Sequence, residues 1–344
     1  MPTTAFQRRR CSWLLLQSIA LAVAALLSCQ LAAPTAAMAN KRTGQLTVFW
    51  GRNNGEGTLR EACDTGLYNT VVISFYSVFG HPYGLDLSGH PLPGVGADIK
   101  HCQQSRGGIP VFLSIAGNGD SNVSNNNYSL PSSSASAEAV AAHLWNAFLG
   151  GGASDVPRPF GDAVLDGIDF YMDHGDGDGG ASDSNYYAEL ARRLDYFNSM
   201  YYHADGEARA ADGDAATAAL ATGLFERIHV RFYGGGDGDD EEGKCSFKKG
   251  GTSGVVEQWE KWTAAYPKSQ MYVGLAAAES GVPPEGAPPP VEVYLKYLYY
   301  DLLPKVQKAP NYGGVMVWDR FADKKTRYST AVKGWASCSY GGCI

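Results

Sequence analysis

One short segment holds the residues best suited to chemistry: Leu165-Asp166-Gly167-Ile168-Asp169-Phe170-Tyr171-Met172-Asp173-His174-Gly175. Alternation along an extended strand puts Asp169, Tyr171 and Asp173 on one face and Ile168, Phe170 and Met172 on the other. If the apolar face packs outward against helices, the acidic face points inward. Inward carboxylates are costly unless hydrogen-bonded, so they are either a proton-transfer site or structural acids with satisfied bonds. Other reactive patterns are missing from the sequence. There is no Walker loop, no His-Glu-x-x-His and no Cys-x-x-Cys pair, so no metal and no cofactor is expected. The acidic run Asp237-Gly-Asp-Asp-Glu-Glu242 lacks the EF-hand glycine at its sixth position and reads as a solvated loop.

Positioning that segment requires a scaffold, and short apolar runs recur along the chain at 45–50, 70–79, 109–115, 163–172, 228–233, 271–275 and 314–318. Most are followed by a turn and then by helical periodicity, the pattern of βα units. Thr58-Leu-Arg-Glu61 is a capping box opening a helix that Gly66 can close. Tyr187, Leu190, Ala191 and Leu194 fall on one helical face, and Val255, Trp259, Trp262 and Tyr266 form a similar stripe before Pro267. The expected fold is α/β: a single (β/α)₈ barrel with one strand missing from the pattern. That strand should lie near residues 198–220, where β-propensity is poor, so either a weak strand hides there or the barrel is damaged. Glycine-rich 234–243 and proline-rich 283–290 each follow a strand and belong with the binding loops at the C-terminal face.

The N-terminus bears on compartment. Arg8, Arg9 and Arg10 precede an apolar run over 13–27, and Ala37-Met38-Ala39 offers a cleavage site before Asn40. Residues 1–39 are therefore expected to be a secretory signal peptide and 40–344 the barrel, with Cys29 as an alternative lipid-attachment point. The run is short for a membrane span. The chain carries 28 basic and 35 acidic residues, and loss of the leader's three Arg leaves a net charge near −10. Such a chain has no basic face for nucleic acid or an anionic membrane. Five cysteines remain beyond the leader (Cys63, Cys102, Cys245, Cys338 and Cys343), an odd number for an oxidising compartment, so at least one is unpaired or bonded to another molecule. Sequons at Asn122 and Asn127 fit a secreted glycoprotein.

The acidic segment resembles the signature strand of glycoside hydrolase family 18 in its plant class III chitinase branch, Asp-Gly-x-Asp-x-Asp-x-Glu. Matching segments occur in order over about residues 44–330: Val48-Phe49-Trp50-Gly51-Arg52-Asn53, Ser114-Ile115-Ala116-Gly117, Val230-Arg231-Phe232-Tyr233, Tyr272-Val273-Gly274-Leu275 and Gly313-Gly314-Val315-Met316-Val317-Trp318. The resemblance implies a (β/α)₈ barrel whose fifth strand falls in the diverged region. It also implies substrate-assisted chitin hydrolysis, in which the final Glu protonates the leaving oxygen and the preceding Asp orients the attacking acetamido group. This sequence has Tyr171 in place of that Asp and Asp173 in place of the Glu. The Asp173 carboxylate stops one C–C bond, roughly 1.5 Å, short. Misplacement by about 1 Å costs on the order of 10²-fold, and loss of a charge aimed at the transition state on the order of 10²- to 10³-fold. Asp169, Asp173 and Tyr233 are thus expected to be a vestigial catalytic set. Phe49, Tyr171 and Trp318 are expected to line the sugar site, with Tyr233 and Trp318 serving equally well as core aromatics.

Further segments, including Leu59-Arg-Glu-Ala-Cys63, Val95-Gly-Ala-Asp-Ile-Lys-His-Cys102, Val156-Pro-Arg-Pro-Phe-Gly161 and Trp318-Asp-Arg320, resemble the cereal xylanase inhibitor proteins. That resemblance implies a secreted, apoplastic, monomeric plant defence protein that binds microbial xylanases, and a Cys63–Cys102 disulfide. It implies basic residues on the loops before the fifth and after the seventh strand, where this chain has only Arg209 within 194–216 and none within 279–290. The family cysteine of the fifth-strand region is also absent. The alternatives are a chitinase with residual activity, acting on chitin or chitooligosaccharides, and a non-catalytic sugar-binding or silent paralogue.

Overall fold

The computed structural model describes residues 44–78, 84–105, 107–115, 136–172, 182–201, 206–210, 218–233, 247–278 and 295–336. The chain divides into Met1–Thr43 and Gly44–Ile344, and all described residues lie in the second unit. The expected leader, Asp173, both sequons, and Cys245, Cys338 and Cys343 lie outside the described residues.

Nine strands form one sheet among the described residues: β1 (Gln45–Trp50), β2 (Thr70–Val78), β3 (Gly84–Leu85), β4 (Val111–Ile115), β5 (Gly167–Met172), β6 (Gly206–Ala210), β7 (Phe225–Arg231), β8 (Gln270–Ala276) and β9 (Tyr312–Trp318). The spatial order is β1-β9-β8-β7-β6-β5-β4-β2-β3, and β1 also pairs with β2. The ring is therefore closed by eight parallel strands, with β3 added antiparallel to β2. Closure at eight strands is the (β/α)₈ architecture expected from the alternation of runs.

The seven apolar runs all lie on strands, with shifted ends. β5 begins at Gly167 rather than residue 163, because the Asp166 carboxylate accepts from Val111 N (2.7 Å) and Gln103 Nε2 (2.8 Å) and turns the chain before pairing starts. β7 runs three residues earlier than its apolar run and ends at Arg231, leaving Phe232 and Tyr233 beyond the strand. The missing fifth barrel strand is β6. Its backbone is in register with β5, Asp169 opposite Glu207 and Tyr171 opposite Arg209, and with β7, Glu207 opposite Arg227 and Arg209 opposite His229. A sequence poor in strand formers becomes a strand here because two neighbours present backbone groups that only a strand inserted between them can pair.

Helices cover the outside. α1 (Leu59–Asp64) begins at Thr58, whose hydroxyl accepts from Glu61 N at 3.1 Å, and Gly66 follows with φ +65°. α2 (Val95–Gln104) is bonded to α1 by the Cys63–Cys102 disulfide, with Cα atoms 5.6 Å apart. Ser136 caps α3 (Ala137–Phe148) by accepting from Ala139 N. α4 (Ser182–Tyr201) turns Tyr187, Leu190 and Ala191 into the core, with Leu194 half-buried, and Tyr187 meets Phe170 on the outward face of β5. On α5 (Phe247–Ala265), Val255 and Trp259 are buried and the Trp259 indole donates to Val306 O at 3.1 Å. α6 (Leu295–Tyr297) leads through a wide π turn over Leu298–Leu302 into α7 (Leu303–Val306), and α8 (Arg320–Thr326) and α9 (Tyr328–Ala336) follow β9. No described helix is long and apolar enough to cross a membrane.

Arg158 organises the approach to β5 from outside. Its guanidinium donates to the carbonyls of Asn146, Leu149, Gly151, Gly161 and Ala163 at 2.6–3.1 Å. The planar fork satisfies a non-helical stretch whose carbonyls have no ladder of their own.

The disulfide closes a loop of 39 residues between two helices that are buried on their inner sides. Replacing both Cys63 and Cys102 by Ser is expected to cost about 2–4 kcal/mol of unfolding free energy while leaving far-ultraviolet circular dichroism unchanged. Urea unfolding of the oxidised and variant proteins measures this, and an unchanged midpoint refutes it.

Candidate functional site

The C-terminal ends of the barrel strands bring four aromatic rings together: Phe49 from β1, Phe75 from β2, Tyr171 from β5 and Trp318 from β9. Ring centroids are 5.3 Å apart for Phe49 and Trp318, 6.1 Å for Phe75 and Trp318, 5.0 Å for Phe75 and Tyr171, and 6.1 Å for Tyr171 and Trp318. These separations are those of packed aromatic pairs. Phe49 is fully buried, Tyr171 is 7% exposed and Trp318 remains half-buried. The Arg52 guanidinium lies 5.1 Å from the Phe75 ring centroid and pairs with Asp86 at 3.4 Å, so a cation closes one side of the ring cluster.

Polar groups lie beneath the rings. Asp169 is wholly buried, and its Oδ2 accepts from Ser114 Oγ at 2.6 Å. His229 Nδ1 stands 3.9 Å from Asp169 Oδ1, and the imidazole also packs edge-on against Tyr272 (4.9 Å) and Phe49 (6.5 Å). Tyr272 in turn donates from its hydroxyl to Gln45 Oε1. Parallel pairing explains the assembly, because Ser114, Asp169 and Glu207 occupy one register row of β4, β5 and β6. Lower in the barrel, Arg227 donates to Thr70 Oγ1 at 2.8 Å and stacks on Phe112.

This arrangement limits the chemistry available. A phenol has an unperturbed pKa of about 10 and supplies no negative charge near neutrality, so Tyr171 cannot balance a cationic intermediate as a carboxylate would. Asp169 is wholly buried. Among the described residues no group of three or more His, Cys, Asp or Glu side chains is placed to hold a metal. Of the residues singled out from sequence, Phe49, Asp169, Tyr171 and Trp318 meet at one place. Tyr233 is buried just beyond the end of β7. Asp173, Asn122 and Asn127 lie outside the described residues.

Sequence reasoning did not single out Phe75, His229 or Glu56. Strand alternation gave some signal for His229, which shares the inward face of β7 with Arg227. Phe75 had none, because pairing shifts register between Ser74 and Tyr76 and breaks the alternation there. Glu56 follows from the capping pattern Asn53-x-x-Glu56, in which Asn53 accepts from a backbone N–H and Glu56 reaches back to Asn53 N.

The fold is a (β/α)₈ barrel with an aromatic-lined mouth, and the sequence profile of "Glycosyl hydrolases family 18" matches residues 45–280. The chain belongs to that family. Xylanase inhibitor protein 1 of Oryza sativa subsp. japonica is 52% identical over 334 residues, covering 95% of this chain and 98% of the relative. An acidic endochitinase of Cicer arietinum is 35% identical, covering 84% and 91% respectively. Among solved structures, a xylanase and alpha-amylase inhibitor protein from Scadoxus multiflorus superposes with TM-score 0.67 at 27% identity, covering 84% of this chain and 98% of that one.

Removing the Ser114 hydroxyl leaves Asp169 Oδ2 without that donor in a fully buried layer. Ser114→Ala is expected to lower stability by about 1–3 kcal/mol. Denaturant titration tests this, and a neutral effect would show that the hydrogen bond does not hold Asp169 in place.

Proposed function

We propose that this chain is a secreted, chitinase-like plant defence protein, impaired in hydrolysis, that acts as a proteinaceous inhibitor of microbial xylanases. The observation that carries this reading is its end-to-end similarity to a rice protein described as a xylanase inhibitor. Tyr171 supports it independently. The ring fills space beside Trp318 and Phe75 that hydrolysis would require for an orienting carboxylate. On this reading residues 1–39 are removed on secretion, Asn122 and Asn127 carry glycans, and one chain binds one xylanase in the extracellular space. No cofactor takes part.

The test is a titration of purified protein against one xylanase from each of the two major xylanase families, following loss of activity and binding. Inhibition of at least one at micromolar protein is expected, and absence of both inhibition and binding overturns the reading. Turnover of a soluble chitooligosaccharide is expected to fall on the order of 10²-fold or more below that of an active plant endochitinase. Comparable turnover would restore the chitinase reading. Trp318, half-buried at the rim, also supports a non-catalytic sugar-binding role, which retention on chitin beads would reveal.

A further inference from the structure

A cleft on the outer wall of the barrel takes in the start of β5, whereas Tyr171 and the ring cluster stand at the other end of that strand. Its walls are Leu149, just after α3, Ile168 and Phe170 of β5, Leu194 of α4, Leu224, and Phe225 at the start of β7. They enclose an open volume of about 470 Å³. Volumes of that order accommodate small organic ligands. Phe170 and Phe225 meet edge to face with centroids 5.2 Å apart, so two rings form part of the wall. A short connection accounts for the opening. Residues 211–224 cross from β6 to β7, the shortest crossover between neighbouring parallel strands of the barrel, and supply less outer cover than the others do.

The polar edge of the cleft is confined to α4. Asn198 is 9% exposed, and Asp195, one turn earlier, is exposed and is the one charged side chain in the lining. The Asp195 carboxylate has no hydrogen-bond or ion-pair partner among the described residues. The arginines of α4 are taken up elsewhere: Arg193 pairs with Glu189 and Glu138, and Arg192 with Glu189. Asp195 also sits toward the C-terminal end of α4, where aligned peptide dipoles disfavour an anion and favour a cation. An ionised carboxylate accepts hydrogen bonds and never donates them. The edge therefore fits a cationic donor, and the walls fit an apolar body.

We propose that this cleft is a binding site for a small amphiphilic amine, with its apolar body among Ile168, Phe170, Leu194 and Leu224 and its ammonium group on the Asp195 carboxylate. A carboxylate-headed molecule of the same shape meets the same walls but is repelled at the edge. An alcohol donates one hydrogen bond there without the charge. The cleft shares no residue with the ring cluster, so a ligand bound here does not compete with one at the barrel mouth.

The experiment is a calorimetric titration of the intact protein near neutral pH with three probes of one length: hexylamine, hexanol and hexanoate. Salt at about 0.15 M screens the general attraction of the chain's net negative charge for any amine. Hexylamine is expected to bind in the micromolar to millimolar range, about tenfold or more tighter than hexanoate, with hexanol between them. Asp195→Asn should abolish that ranking while leaving hexanol affinity within about twofold. Leu194→Trp should fill the cleft and abolish binding of all three probes. Asp195 is exposed, so the Asp195→Asn comparison is decisive whether or not Leu194→Trp folds. No hexylamine binding up to about 10 mM, equal affinity for hexylamine and hexanoate, or an unchanged ranking in Asp195→Asn overturns the proposal. Hexylamine binding retained by a folded Leu194→Trp protein overturns it as well.

Discussion

Closure of the barrel is the constraint on which everything else rests. Each parallel strand must be paired along both edges, since an unpaired edge inside a packed ring leaves backbone donors and acceptors without partners. That requirement converts Gly206–Ala210 into a strand against its local propensity and fixes its register with β5 and β7. Once the register is set, residues distant in sequence share one inward layer. Ser114, Asp169 and His229 meet in this way, as do Phe49, Phe75, Tyr171 and Trp318 one layer higher.

The inward face of β5 shows how one side chain alters the character of a site. A carboxylate at position 171 would need hydrogen bonds or a cation at the barrel mouth, whereas a phenol ring is held by contact with Phe75 and Trp318. The exchange replaces a costly charge with apolar packing. It therefore favours the fold. One layer down, Asp169 is held through its Oδ2, which accepts from Ser114. A family whose members include acidic endochitinases and xylanase inhibitors is consistent with a scaffold that outlasts its chemistry.

The rim follows different physics from the centre. There the charges remain, and Arg52 links them to the rings by lying over Phe75 while pairing with Asp86. Glu56 anchors the turn after β1 by accepting two backbone N–H groups, which holds Gly51 and Asn53 where Arg52 can reach across. Backbone geometry, ionic balance and aromatic packing are thereby coupled over a few ångströms.

Much of this was legible in the sequence. Seven apolar runs gave seven strands, the Tyr187 and Trp259 stripes gave the buried faces of α4 and α5, and alternation placed Asp169 and Tyr171 on the inward face of β5. These are local properties, set by side-chain periodicity that any strand or helix must obey. The tertiary structure alone decided that β6 exists, since its backbone partners come from other strands, and that Phe75 joins the ring cluster across an irregular stretch of β2. It alone decided the pairing of Arg52 with Asp86 and the hydrogen bond from Lys324 to Gly55 O, 269 positions apart in the chain. Such contacts depend on which register closes the ring, and no periodicity within a single segment carries that information.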